Sequence, residues 1–197
     1  MPSALQAFVA EPSKKSYLRA REELLTASER ILDATLLDPL TLLHDAGDMT
    51  GLSAALAALP PIAALTPRVH YYAALAAEAR HDDDDLELER MLLVVCLRAL
   101  LMTGDGSPEQ PYVVSALCDE NDLLESLELA PETRRLVHRG DSVFDVVTCD
   151  EGSEIWFDVS ALVRIPAEST VATTERAKRH SSRPKAKASR RLSQTRH

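Results

Sequence analysis

The chemically capable residues of this chain fall in a few short stretches. His81 stands beside Asp82, Asp83, Asp84 and Asp85, a run that offers nitrogen and oxygen ligands to a cation. Consecutive residues cannot all turn toward one ion, and the run lacks the glycine and closing glutamate of a calcium hand. It reads as a solvated helix cap. The turn Gly104-Asp105-Gly106-Ser107 has the small residues of a phosphate loop, but no lysine follows and strand and helix stand in the wrong order. Nucleophilic catalysis would draw on His44, His70, His81 or His138, and Ser142 follows His138 across an expected hairpin. Neither a G-x-S-x-G nor an H-E-x-x-H pattern occurs. Cys118 and Cys149 have acidic neighbours, Asp119 and Asp150, which disfavour a thiolate. The expectation is a protein that is not an enzyme, with no metal and no cofactor. The enzymatic alternative is a hydrolase using His138 with a carboxylate in a pocket between a bundle and a sheet.

Binding chemistry is more visible, because charge is segregated along the chain. From Glu175 to His197 there are nine cations and one anion, a net +8, which leaves 13 cations against 30 anions, a net −17, on residues 1–174. An acidic body repels nucleic acid and anionic lipid, so its own partners are expected to be proteins or cations. The cations Arg176, Lys178, Arg179, Arg183, Lys185, Lys187, Arg190 and Arg191 of the tail are the candidate polyanion-binding residues. They have no aromatic interleaving, so contact with nucleic acid would run through phosphates and be salt-sensitive. In the body, Arg134, Arg135, His138 and Arg139 form one basic patch, which reads as a solvated strand edge. Trp156, the single tryptophan, is expected to pack in the core.

Composition sets the class of molecule that must carry these groups. With 197 residues, 45% hydrophobic and only 4% aromatic, the chain fits one or two compact units. Three widely spaced cysteines without a C-x-x-C pair are read as reduced and structural, pointing to the cytoplasm. Met1 to Ala10 has no cation before its short apolar stretch and does not read as a signal peptide. The most apolar window, Met91 to Met102, is interrupted by Arg98 and is too short for a bilayer span, so no membrane association is expected.

The residue grammar then divides the chain. Ser13 caps an amphipathic helix from Lys14 to Leu32, and Asp38-Pro39 reads as the cap and first residue of a short helix that stops at Gly47. Asp48 or Thr50 opens the next, which ends at Pro60-Pro61, and Thr66-Pro67 opens another that runs to Arg80. The longest, from about Asp84 to Thr103, ends at Gly104; it is apolar on every side at its middle, which predicts neighbours all round it. Asp45-Ala46-Gly47-Asp48 and Ala79-Arg80-His81-Asp82 stand 34 residues apart, the period of a tetratricopeptide pair, a spacing that unrelated antiparallel helices also give. After Gly104, Tyr112-Val113-Val114 reads as a strand, Asp119 to Leu127 as a helix with acids in its first turn, and Leu136 to His138, Ser142 to Thr148 and Glu154 to Val159 as strands. The expected fold is α+β. A helical, tetratricopeptide-like bundle occupies 13–103, a small antiparallel sheet with one helix 104–168, and a disordered basic tail 169–197.

The layout resembles a bacterial family of unknown function whose tetratricopeptide-like helical half leads into a small α+β domain ending in an aromatic-Phe-Asp strand. The likeness is carried by Thr103-Gly104-Asp105-Gly106-Ser107, Pro111-Tyr112-Val113-Val114, Asp119-Glu120, Phe144-Asp145-Val146 and Ile155-Trp156-Phe157-Asp158-Val159. It spans about residues 40–160. Asn121-Asp122 stands where the family pattern has an aromatic, and Arg135 where it often has glutamine. The resemblance implies the fold and carries no activity or catalytic residue. The functional expectation is a scaffold that binds another protein through its helical half, with attachment to nucleic acid through the tail as the alternative.

Overall fold

The computed structural model describes residues 3–29 and 32–163; the tail, with Arg176 through Arg191, lies outside them. The first helix, α1 (Ala4–Ala10), is one the sequence reading does not anticipate. A capping box between Ser3 and Gln6 starts it, and its Phe8 packs edge-on against Tyr17 at 5.7 Å. Helix α2 (Lys14–Ala27) has the expected Ser13 cap but ends before Leu32. At Ser28 the backbone turns extended, and the Ser28 hydroxyl donates to the Leu24 carbonyl while accepting from the Ile62 amide. Helix α3 (Ala34–Asp45) begins about a turn earlier than Asp38-Pro39 suggests. Pro39 therefore sits inside the helix, where it offers no N–H to the carbonyl four residues before it.

Helices α4 (Met49–Ala57), α5 (Pro67–Arg80) and α6 (Asp83–Thr103) follow, with a 3₁₀ segment, Pro61–Leu65, between α4 and α5. The spacing of 34 residues has a structural counterpart. Gly47 and His81 both adopt positive φ, and the aspartate after each caps the next helix, Asp48 onto Gly51 N and Asp82 onto Asp85 N. The helical hairpins α3–α4 and α5–α6 thus turn at equivalent positions. One expectation is overturned: α6 is not covered all round, since Leu88, Met91, Val94 and Met102 are exposed. The side carrying Cys96, Ala99, Leu100 and Thr103 is buried and Val95 and Leu101 also pack against the core, whereas Leu88, Met91, Val94 and Met102 have no such cover among the described residues.

Strand β1 (Tyr112–Val113), helix α7 (Cys118–Ser126), β2 (Pro131–Arg139), β3 (Ser142–Cys149) and β4 (Glu154–Asp158) complete the described chain. The sheet order is β1-β4-β3-β2. The β2–β3 and β3–β4 pairs are antiparallel as expected, but β1 pairs parallel to β4, which makes the sheet mixed. The reason is the crossover: α7 brings the chain back so that β2 runs in the direction of β1, and two hairpin turns return β4 to that direction.

Residues 1–163 belong to one unit by contact, and buried side chains of both halves share one core, from Phe8, Tyr17 and Leu52 to Val147 and Phe157. Polar groups join the halves as well. The Tyr17 hydroxyl lies 2.7 Å from Ser115 Oγ, and Arg21 Nε donates to the Val114 carbonyl at 2.9 Å. Among the described residues no helix is long and apolar enough to cross a membrane.

Candidate docking cleft between α5, α6 and α7

Three helices each contribute residues at helical spacing to one open cleft of about 540 Å³. Pro67, pre-set for the first position of a helix, starts α5 and places Arg68, Tyr71 and Tyr72 on one face, three and four residues apart. Leu93 and Leu97 are one turn apart on α6, and Asp122, Glu125 and Ser126 repeat the three-and-four spacing on α7. Tyr71, Leu93 and Leu97 give the cleft an apolar wall. The Tyr71 and Tyr72 rings meet edge to face at 5.3 Å, and Tyr72 is fixed by a 2.7 Å hydrogen bond to Thr41. Tyr71 lines the cleft and is 48% exposed.

The other wall is acidic. Arg68 donates from Nε to Asp122 Oδ1 at 3.0 Å and makes a second, shorter contact from Nη2. Asp122 Oδ2 is buried and has no hydrogen-bond partner among the described residues, an arrangement that normally costs free energy unless a donor arrives. Burial pushes the Asp122 carboxyl above its ordinary range, and Arg68 pulls against it. Glu125 is exposed one turn along α7. An aliphatic or aromatic group fits the first wall, and a cationic donor fits the second.

Next to the cleft, the start of α7 holds charge away from water. Asp119 and Glu120 are fully buried. Asp119 Oδ2 accepts from the amides of Ser115 and Ala116 at 2.8 and 2.9 Å, which ties the start of α7 to the segment before it. Burial raises its carboxyl to about 7 against these two bonds. Glu120 is raised to about 8 by burial and by the charge of Asp145, which together outweigh its contact with Arg134. The donor atoms of Cys118, Asp119 and Asp122 lie within 4.8 Å of one another. They do not suit a cation, because Asp119 is committed to the helix start, Asp122 to Arg68, and burial, then Asp119, raise the Cys118 thiol far above its ordinary value.

The groups singled out in the sequence are placed as follows. Asp82 caps α6, and Asp85 pairs with Arg80 at 2.7 Å, so the acidic run is a helix start. In the Gly104–Ser107 turn, the carbonyl of Gly106 accepts from the Trp156 amide and the Asp105 side chain from the Ser107 amide, which fastens the loop to the sheet. His138 lies opposite Val143, whereas Ser142 lies opposite Arg139. Adjacent register positions point to opposite faces, so the hairpin keeps His138 and Ser142 apart. His44 pairs with Asp45. The ring of His70 spans Glu89 Oε2 at 2.6 Å and the Ala64 carbonyl at 3.1 Å, joining α5 to α6. Cys96, Cys118 and Cys149 are free thiols, and burial pushes Cys96 up to about 12.

The basic patch is on the edge strand β2, and three of its four members have partners. Arg134 binds Glu120, Asn121 and Asp145. Arg135 binds Glu154, and Arg139 stacks 4.2 Å above Trp156. Trp156 is 95% buried, beneath this arginine and on the sheet face opposite Phe157, and its Nε1 has no partner. The cleft itself is not announced by any motif. Tyr71 and Tyr72 read as packing residues, and Arg68 and Asp122 are 54 residues apart in sequence. The acids Asp119 and Glu120 in the first turn of α7 are the local signal near the site. Comparison with protein-family models, with curated proteins and with solved structures gives no match to this chain.

Proposed function

We propose that this chain is a non-enzymatic interaction protein that receives a segment of another protein in the α5–α6–α7 cleft. The observation that carries the reading is the cleft's two-sided chemistry: Tyr71, Leu93 and Leu97 on one wall, and Glu125 and the unpartnered Asp122 Oδ2 on the other. An amphipathic segment with apolar anchors and a lysine or arginine satisfies both walls. The net −17 of residues 1–174 favours the approach of such a basic partner. Kinship with the bacterial tetratricopeptide-like family and a cytoplasmic location belong to this proposal, supported by the helical hairpins that turn at a spacing of 34 residues and by the uncoupled thiols.

Peptide display against a chain lacking residues 175–197 tests it. Enriched peptides are expected to combine a basic residue with apolar residues, and to bind at least tenfold more weakly to a Tyr71→Ala, Glu125→Lys variant. Absence of enrichment, or undiminished binding by that variant, contradicts the reading. The second reading, attachment to nucleic acid through Arg176, Lys178, Arg179, Arg183, Lys185, Lys187, Arg190 and Arg191, is favoured by the segregation of charge alone. It predicts binding that vanishes with the tail and with salt.

A further inference from the structure

The unpartnered side of α6 has a pattern of its own, separate from the cleft. Leu88, Met91, Val95, Arg98 and Met102 follow one another in alternating steps of three and four, the spacing that keeps a seam facing a second helix. Leu88, Met91 and Met102 are 46%, 45% and 41% exposed, and Val94 flanks them, also exposed, while Val95 is half-buried and packs in part against the core. At 1.5 Å per residue the seam is about 21 Å long. It is continuous apart from Arg98, which is exposed and has no ion pair among the described residues; the same is true of Glu87.

We propose that this seam is where a second copy of the chain docks, with the two α6 helices antiparallel about a twofold axis between Val94 and Val95. Glu87 and Arg98, opposite charges left unpaired among the described residues on one face, make that face complementary to a second copy of itself, and charge also selects the direction. A parallel pair would set Asp83, Asp84, Asp85 and Glu87 beside the same residues of the other copy, and Arg98 against Arg98, so every charge on the face would repel. In the antiparallel pair, Arg98 lies opposite Met91 of the second copy. The aliphatic stem of Arg98 then covers the methionine while its guanidinium reaches Glu87 one turn away. The twofold makes this exchange twice, so one surface patch is its own complement. A single polar residue within an apolar seam fixes register in this way. The seam is small beside the roughly 1,200 Å² of a stable specific interface, so the dimer is weak and reversible, with dissociation in the micromolar range.

The test is sedimentation velocity on the full-length chain from low micromolar to near-millimolar concentration. The wild type is expected to pass from monomer to dimer. Glu87→Arg alone and Arg98→Glu alone should each weaken dimerisation at least tenfold, and the two together should restore it to within about threefold. Met91→Ser, which leaves the charge unchanged, should weaken it as strongly as either single reversal. All three substitutions alter exposed side chains, so circular dichroism of each variant should remain that of the wild type. A chain that stays monomeric throughout overturns the proposal. So does a dimer indifferent to Met91→Ser and to the charge reversals, which would place the contact on another face or in the tail.

Discussion

At the residue scale, burial governs the two acids that open α7. Asp119 and Glu120 have folded pKa values of about 7 and about 8, both above the ordinary range of about 4 that holds in the unfolded chain. The folded state therefore binds more protons than the unfolded state between those limits. Their stabilising contribution is complete below about pH 4 and is lost as pH rises through 7 and 8. The Tm is expected to fall between pH 5 and pH 8.5, and thermal melts across that range measure it. Asp119→Asn keeps an oxygen to accept from Ser115 and Ala116 and carries no charge at any pH, so it should flatten the decline. A Tm that rises over this range would contradict the assignment. The sequence identifies these acids as members of a first helical turn, which is correct, but first-turn acids look alike whether they face water or a sheet. What buries Glu120 is the approach of Arg134, fourteen residues away on an element whose register no local pattern specifies. Where the partner is within one turn, as with Ser13, Asp48 and Asp82, sequence and structure agree.

At the element scale, the junction after α6 decides how the helices meet the sheet. Gly104 has an extended backbone that any residue adopts, so its requirement is for space. A Cβ there would lie inside van der Waals contact of the Gln110 and Pro111 carbonyl oxygens, both backbone atoms that cannot rotate away. Gly104→Ala is expected to cost about 2 kcal/mol, or roughly 4–8 °C in Tm for a chain of this size. A melt unchanged within 1 °C would show that the loop yields without strain, contrary to this account. The sequence marks Gly104 as a helix stop through the left-handed conformation open to glycine; the structure keeps the stop but not that reason, since the backbone is extended and the requirement is for space. Helix existence was legible from caps and periodicity for α2 to α7. Two boundaries were not, because Pro39 was taken for a helix start and Ser28 ends α2 through its bond to Ile62, which is distant in sequence. The exposure of one side of α6 was hidden for a similar reason. Apolar residues predict a covering, but not whether it comes from the same chain. The parallel pairing of β1 was also hidden, since two-residue strands carry no directional signal.

At the scale of the whole molecule, the single core and the bond of Tyr17 to Ser115 bring α7 against α5 and α6, and the cleft exists only because of that contact. No stretch of sequence holds both of its walls, which explains why the overall α+β plan was legible while the site was not. Charge is the other whole-molecule property. A net −17 on residues 1–174 and +8 on residues 175–197 separate the two proposed readings, which predict different responses to salt. On the proposed function, binding in the cleft would rely on apolar burial with one desolvated charge and should survive salt that screens exposed tail contacts. The decisive measurement is nuclease-treated capture from lysate in high salt, run with the wild type, the chain lacking residues 175–197, and the full-length Tyr71→Ala, Glu125→Lys variant. The account predicts one protein held equally by the first two and lost with the third; loss of every bound species on removing the tail, with the cleft variant behaving as wild type, would contradict it.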